Sequence, residues 1–252
     1  MSSKISLFVV AVIGMFFSGN TAHAQLDLLF EFDQTIPGNF MDLSFSPEAT
    51  ALGLGDDTSV NFFSTFLGAN VAISNNGAAA IQPVGDSTFI SFGNSDLNFS
   101  PSVFGGSEVF LPFWDDLDSE SGDVFVEDQS DRLVIQWNNR PIFPGVAQGP
   151  EDGATIQLQI FGRESNLGPL GIIAQYIYDD LSFLNDPFND NGNSATIGYQ
   201  SSPGEVLQFS FNEPSVFDGD VLSLRAVSVP EPSSFAAIML ASLGVMRRRR
   251  RS

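Results

Sequence analysis

The chain has 252 residues, no cysteine, and ten lysines and arginines against 30 aspartates and glutamates, for a net charge of −20. That balance repels nucleic acid and anionic membrane surfaces, and the lack of cysteine removes disulfides and thiol chemistry. Phenylalanine is abundant at 25 residues while tyrosine (3) and tryptophan (2) are scarce, so most aromatic surface has no polar handle and is expected in a core.

The first 24 residues read as a secretory signal peptide. Lys4 gives a positive start, residues 5–17 are apolar, and Ala22-His23-Ala24 fits small-x-small cleavage before Gln25. At the other end, Val229-Pro230-Glu231-Pro232 precedes an apolar run at 235–246 and then Arg247 to Arg251. Twelve apolar residues fall short of the roughly 20 that span a bilayer comfortably, and the arginines favour the cytoplasmic face. Without these ends the body, residues 25–228, holds four basic residues (Arg132, Arg140, Arg163 and Arg225) and 29 acids, a net charge of −25. It has no lysine, histidine or cysteine.

Along the body the dominant pattern is alternation with period two. Strands are expected at residues 26–32, 60–66, 70–73, 78–82, 88–92, 109–113, 124–127, 133–137, 156–160, 172–178, 195–199, 207–211 and 222–226. Leu133, Ile135 and Trp137 alternate with Gln136, and Ile156, Leu158 and Ile160 with Gln157 and Gln159. One buried and one solvated face is expected for each run. Residues 34–46 read as an irregular loop. Asn75-Asn76-Gly77, residues 127–131, Asn191-Gly192-Asn193 and Asp218-Gly219-Asp220 read as turns. Many short strands with such turns and no helical period predict an all-β fold, a single antiparallel β-sandwich of jelly-roll or Ig-like topology.

The missing residue types narrow the chemistry. Without histidine, cysteine or lysine in the body there is no Ser-His-Asp triad, imidazole-bound zinc or Schiff base, and no enzyme activity is expected. The catalytic alternative is a carboxylate pair of glycosidase type, Asp115 with Asp123 or Asp179 with Asp180. Calcium, which takes six to eight hard oxygens, suits the cluster Asp115, Asp116, Asp118, Glu120 and Asp123, and a second loop with Asn185, Asp186, Asn189, Asp190, Asn191 and Asn193. The competing reading is that these residues form turns and satisfy local backbone donors. Trp114 and Trp137 are weighed as sugar-stacking platforms and assigned to the core, Trp137 because it shares a face with Leu133 and Ile135. Arg132 and Arg163 are expected to pair with neighbouring acids.

Two family resemblances add to this reading. The Pro-Glu-Pro motif (Pro230, Glu231, Pro232), apolar run and arginine cluster at 229–252 resemble the PEP-CTERM sorting signal. The resemblance implies an exosortase substrate, held transiently in the inner membrane and then processed. The series Pro112-Phe113-Trp114-Asp115-Asp116-Leu117, Ile135-Gln136-Trp137, Ile156-Gln157-Leu158 and Ala195-Thr196-Ile197-Gly198 resembles a nidogen-like secreted β-sandwich module, over about residues 57–227. It departs from that pattern in having Ile156 where the module has phenylalanine. Together these imply a surface or extracellular-matrix protein with a structural or adhesive role. The alternative is a calcium-dependent glycan-binding module. The expected partners are the secretion machinery, exosortase, and exopolysaccharide or surface glycans.

Overall fold

The alternating runs form strands in the computed structural model, which describes residues 28–83, 107–143, 152–163, 171–183, 187–202 and 204–228, with residues 85, 90, 92, 104 and 168. The signal-cleavage residues Ala22 and Ala24, the motif Pro230, Glu231 and Pro232, and most of the strand expected at 88–92 lie outside the described residues. Leu28–Ser228 is a compact unit.

The strands are β1 (Leu28–Asp33), β2 (Thr50–Ala51), β3 (Ser59–Ser64), β4 (Ala69–Ser74), β5 (Ala78–Ile81), β6 (Glu108–Trp114), β7 (Asp123–Asp128), β8 (Leu133–Arg140), β9 (Ala154–Ile160), β10 (Ile172–Asp180), β11 (Thr196–Gln200), β12 (Val206–Phe211) and β13 (Val221–Ser228). They form two sheets, one ordered β1-β13-β10-β9-β8-β7-β2 and the other β12-β11-β6-β5-β4-β3. Each of these pairings is antiparallel. The two-residue β2 has no sequence signal and is a strand only because it lies against β7.

Between the sheets, Leu133, Ile135, Trp137, Ile156, Leu158, Ile160, Leu222 and Leu224 pack against Val71, Ile73, Phe110, Phe113 and Ile197. The three tyrosines and both tryptophans are buried. A buried phenol or indole N–H needs an acceptor, and three of these groups find one across the sandwich. Trp137 Nε1 donates to the Ser74 carbonyl at 2.7 Å, Tyr176 Oη to Gly198 at 2.8 Å, and Tyr178 Oη to Pro112 at 2.8 Å. Two of the acceptors lie at an irregularity. The β6–β11 register runs from Trp114↔Thr196 to Leu111↔Gly198, so Pro112 and Phe113 oppose the single residue Ile197. A bulge of this kind lets an interior strand hold a proline.

The expectation of one solvated face per strand is corrected over the middle strands of both sheets, whose outer faces are covered too. On the second sheet, Ala72, Ala78, Ala80, Val109, Leu111 and Trp114 pack under Phe92 and Phe104. On the first sheet the polar members of the alternation, Gln136, Gln157, Gln159 and Gln175, are buried. The cover is the loop at 34–46, which leaves β1 at one edge of the seven-stranded sheet and reaches β2 at the other.

Every second residue of this strap meets one glutamine. Gln175 Nε2 donates to the Pro37 carbonyl (3.2 Å), Gln159 Nε2 to Asn39 (2.7 Å), and Gln157 Nε2 to Met41 (2.5 Å). The Met41 N–H returns a bond to Gln157 Oε1 at 3.2 Å, and the Leu43 N–H donates to Gln136 Oε1 at 2.7 Å. The amides also bond one another, Gln159 to Gln157 at 2.6 Å and Gln157 to Gln136 at 3.3 Å. Gly38 sits where a Cβ would come within 3.0–3.2 Å of Val221 and Ile177. Leu43 then buries its side chain, and Ser46 Oγ donates to Glu127 on β7 at 2.7 Å.

Replacing Gln157 with leucine keeps the volume but leaves the Met41 N–H and C=O without their partner. Gln157→Leu is expected to lower unfolding free energy by about 1–3 kcal/mol, read from urea denaturation, whereas the exposed Gln208→Ala changes it by less than about 0.5 kcal/mol. Equal midpoints for the two variants would show that the amides do not hold the strap. Burial also pushes the Tyr176 and Tyr178 phenols well above their ordinary value. The folded chain therefore holds these protons more tightly than the unfolded chain. Stability is intact below about pH 10 and falls as pH rises beyond it. In a Tyr199→Phe background, tyrosinate absorbance is expected to appear only together with loss of near-UV circular dichroism.

Candidate functional site

At the end of the sandwich opposite the paired residues Leu28 and Ser228, four connections converge: residues 52–58, 75–77, 115–122 and 139–142. Their centre is Arg140, which is 1% exposed. Strict alternation after Leu133, Ile135 and Trp137 would turn Arg140 to the outer face. A bulge reverses it: the β8–β9 register passes from Trp137↔Ile156 to Arg140↔Ala154, with Asn138 and Asn139 opposite Thr155 alone. Asn139 takes a φ of 50°, and its N–H donates to Thr155 Oγ1 at 3.1 Å. Two glycines make room for the bulge. A Cβ on Gly122 would lie 1.8 Å from the Asn138 carbonyl oxygen, and one on Gly153 2.7 Å from Arg140 backbone carbon.

Turned inward, the guanidinium donates to the carbonyls of Ser121 (3.2 Å), Gly122 (3.3 Å) and Leu54 (3.0 Å), and to Asn75 Oδ1. Asn75 Nδ2 donates to the Leu117 carbonyl, and Asn76 Nδ2 to Asp57 at 2.9 Å. The Asn75-Asn76-Gly77 turn is thus a buried hub. Gly77, at a φ of 69°, leaves no space for a Cβ, which would meet the Phe113 carbonyl oxygen at 1.9 Å. Burial lowers the Arg140 pKa, and the charges of Asp123, Asp118 and Asp56 oppose that shift.

The acidic corner takes its shape from the same network. Asp115 is buried and accepts the Asp116 N–H at 2.8 Å and the Ser194 hydroxyl. Asp118 is buried and accepts the N–H groups of Ser119 (2.5 Å) and Glu120 (3.2 Å). Asp123 accepts from Gly53 (2.9 Å) and Val124 (2.7 Å). The loop is fastened to the chain after β8 by Asp118 N–H to Pro141 and Phe143 N–H to Asp116, both 2.8 Å, and by the Leu117↔Ile142 bridge. Asp116 alone of the four gathers with carboxylates from elsewhere: it, Asp56 and Asp57 bring oxygens within 4.8 Å of one another. Burial, with the charges of Asp57 and Asp118, raises the Asp56 pKa. Phe143, beside Asp116, is 51% exposed.

In the second polar loop, Asn185 and Asp186 lie outside the described residues. Asp190 accepts the Phe183 N–H at 2.7 Å, and Asn193 Nδ2 donates to the Phe188 carbonyl at 2.6 Å. Asp179 and Asp180 are successive residues at the end of β10, at an irregularity where the register with β9 passes from Tyr178↔Ile156 to Asp180↔Thr155. Burial, then the charges of Asp180, Asp42 and Asp218, raises the Asp179 pKa. Trp114 and Trp137 are both in the core, Arg132 pairs with Asp131, and Arg163 pairs with buried Glu108.

Sequence reasoning missed Arg140, Asn75, Asn76, Asp56 and Asp57 as one group. The available signal was Asn138-Asn139, residues that tolerate positive φ, at the end of an otherwise regular strand. Arg140→Met is expected to destabilise the fold by about 3–5 kcal/mol, the range for removing one side of a buried charged network. The measurement is a denaturant titration against Arg132→Met, a partly exposed arginine whose ion pair is with exposed Asp131 and whose cost is expected to be smaller, about 1 kcal/mol.

Compared with known proteins, the PEP-CTERM protein-sorting motif matches residues 228–251 of the chain. No curated protein and no solved structure matches it. The sorting motif indicates an exported protein that is processed by an exosortase and transiently anchored in the membrane beforehand.

Proposed function

We propose that this is a structural or adhesive component of the cell surface or exopolysaccharide matrix, delivered by exosortase processing, and that it is not an enzyme. The observation that carries the reading is the sorting motif, which begins at Ser228, the final residue of β13, and so follows directly on a compact sandwich. The composition of that body supports it. A charge of −25 favours solubility and cation-rich surroundings, and the lack of lysine, histidine and cysteine leaves carboxylates as the only strong acid–base groups. The motif order that resembles a nidogen-like module supports an extracellular role by analogy of fold alone. Mass spectrometry of the protein recovered from the cell surface or medium tests it: the C-terminus is expected near Pro230-Glu231-Pro232, without Arg247 to Arg251. A surface-located chain that retains the arginines would overturn the sorting reading.

A second reading, a calcium-dependent glycan-binding module, is supported by the convergence of Asp56, Asp57 and Asp116, with exposed Phe143 bonded through its N–H to the Asp116 carbonyl. Calcium accepts carboxylate oxygens from several loops, with Asp115, Asp118 and Asp123 shaping the corner beside it. On this reading calcium raises Tm relative to EDTA, and Asp57→Asn removes the difference. A Tm unmoved by either reagent would end it.

A further inference from the structure

Each sheet has two edges, and the two sheets treat theirs differently. In the first sheet β1 carries Glu31 and Asp33, which pair with Arg225, and β2 is only two residues long. Charge and shortness are the usual guards against edge-to-edge pairing. The second sheet has neither. Its edges β3 (Ser-Val-Asn-Phe-Phe-Ser) and β12 (Val-Leu-Gln-Phe-Ser-Phe) are six residues each, with no charge and no proline. Phe63 on β3 is 59% exposed, and Asn61 and Gln208 are exposed on the two edges. The Asn75 N–H bond to the Thr58 carbonyl at 2.9 Å sets the β3–β4 ladder. By alternation it turns the N–H and C=O groups of Ser59, Asn61 and Phe63 away from β4.

We infer that β3 of one copy of this chain pairs antiparallel with β12 of the next, joining their six-stranded sheets head to tail. Two observations select this occupant. Across an antiparallel sheet of six strands the two edge strands run in opposite directions, so a neighbouring copy in the same orientation brings β12 antiparallel to β3. On a body of charge −25, these two edges also offer backbone approach without facing carboxylates. Such a contact is heterologous and does not close on itself, so it propagates. It deepens the structural reading proposed above.

Acids flank the paired edges, with Asp57 before β3 and Glu213 after β12 at one end, and Asp128 and Glu205 at the other. Pairing is therefore expected to strengthen as the Debye length shrinks from about 30 Å at 0.01 M salt to about 8 Å at 0.15 M. A six-residue contact is small beside the roughly 1,200–2,000 Å² of a stable complex, which confines assembly to high local concentration.

The chain has no cysteine, so introduced thiols report cleanly. Asn61→Cys and Gln208→Cys, each recovered as the cell delivers it, are mixed with a short bifunctional thiol cross-linker. A cross-linked dimer is expected in the mixture and not in either variant alone, with loss of the product when Phe63→Lys is added to the Asn61→Cys chain. Sedimentation of the natural chain is expected to show mass rising with concentration and salt. No dimer in the mixture, or equal cross-linking of Asn61→Cys alone, would overturn the β3–β12 contact. The mass of the C-terminus tests the sorting reading separately, so either can fail without the other.

Discussion

A chain that leaves one edge of a seven-stranded sheet and re-enters at the opposite edge must lay its backbone across the strands between. There it finds no ladder to join, and the peptide groups on its inner side lie over buried side chains and need partners from them. The four glutamines of β8, β9 and β10 supply what the ladder cannot. Each reaches up from the sheet and bonds one alternate peptide group of the strap, from Pro37 to Leu43. The strap then carries the chain to β2, the last strand of the sheet, and on to the loop at 52–58 that borders the acidic corner. Both the edge of the first sheet and the geometry of the corner depend on this crossing.

The second dependency is a single change of face. The bulge at Asn138 and Asn139 turns Arg140 inward, where it bonds three carbonyls from two loops and the side chain of Asn75. These are C=O groups at strand ends, which a closed sandwich would otherwise leave buried and unsatisfied. The surrounding aspartates balance the buried cation, and much of their hydrogen-bonding capacity goes to neighbouring backbone N–H groups. Acidity at this corner is in large part structural: it allows loops from both sheets to meet around one charge. Asp56, Asp57 and Asp116, on the outer side of that network, are the carboxylates that face one another.

The scarce polar aromatics follow the same logic. Tyr176, Tyr178 and Trp137 sit among aliphatic residues, and each carries one hydrogen bond across the core. Two of these bonds end at the irregular stretch between β6 and β11, where proline and a register shift have displaced backbone groups from the ladder. Core packing, bulge and side-chain donor form one arrangement. It leaves a body tied across its core by side-chain donors, strongly anionic in composition, and with uncharged strands at the two edges of its second sheet.

Much of this was legible in the sequence. Period-two alternation placed most strands within a few residues, and turn chemistry placed Gly77, Gly192 and Gly219 where positive φ is needed. The C-terminal sorting motif was legible as Pro-Glu-Pro, an apolar run and an arginine cluster, because targeting signals are read as linear sequence. Alternation could not say what lies over a face. It marked Gln136, Gln157 and Gln159 as solvated, because a polar residue at an outer position has the same pattern whether it meets water or another segment. Nor could it foresee the face of Arg140, since one extra residue in a strand reverses every side chain beyond it. The sequence by itself determined most strands, the turns, the charge and the C-terminal sorting motif, all of which arise from neighbouring residues. Only the tertiary structure decided which polar groups are buried, which carboxylates meet and which edges stay open, because those depend on segments brought together from far apart in the chain.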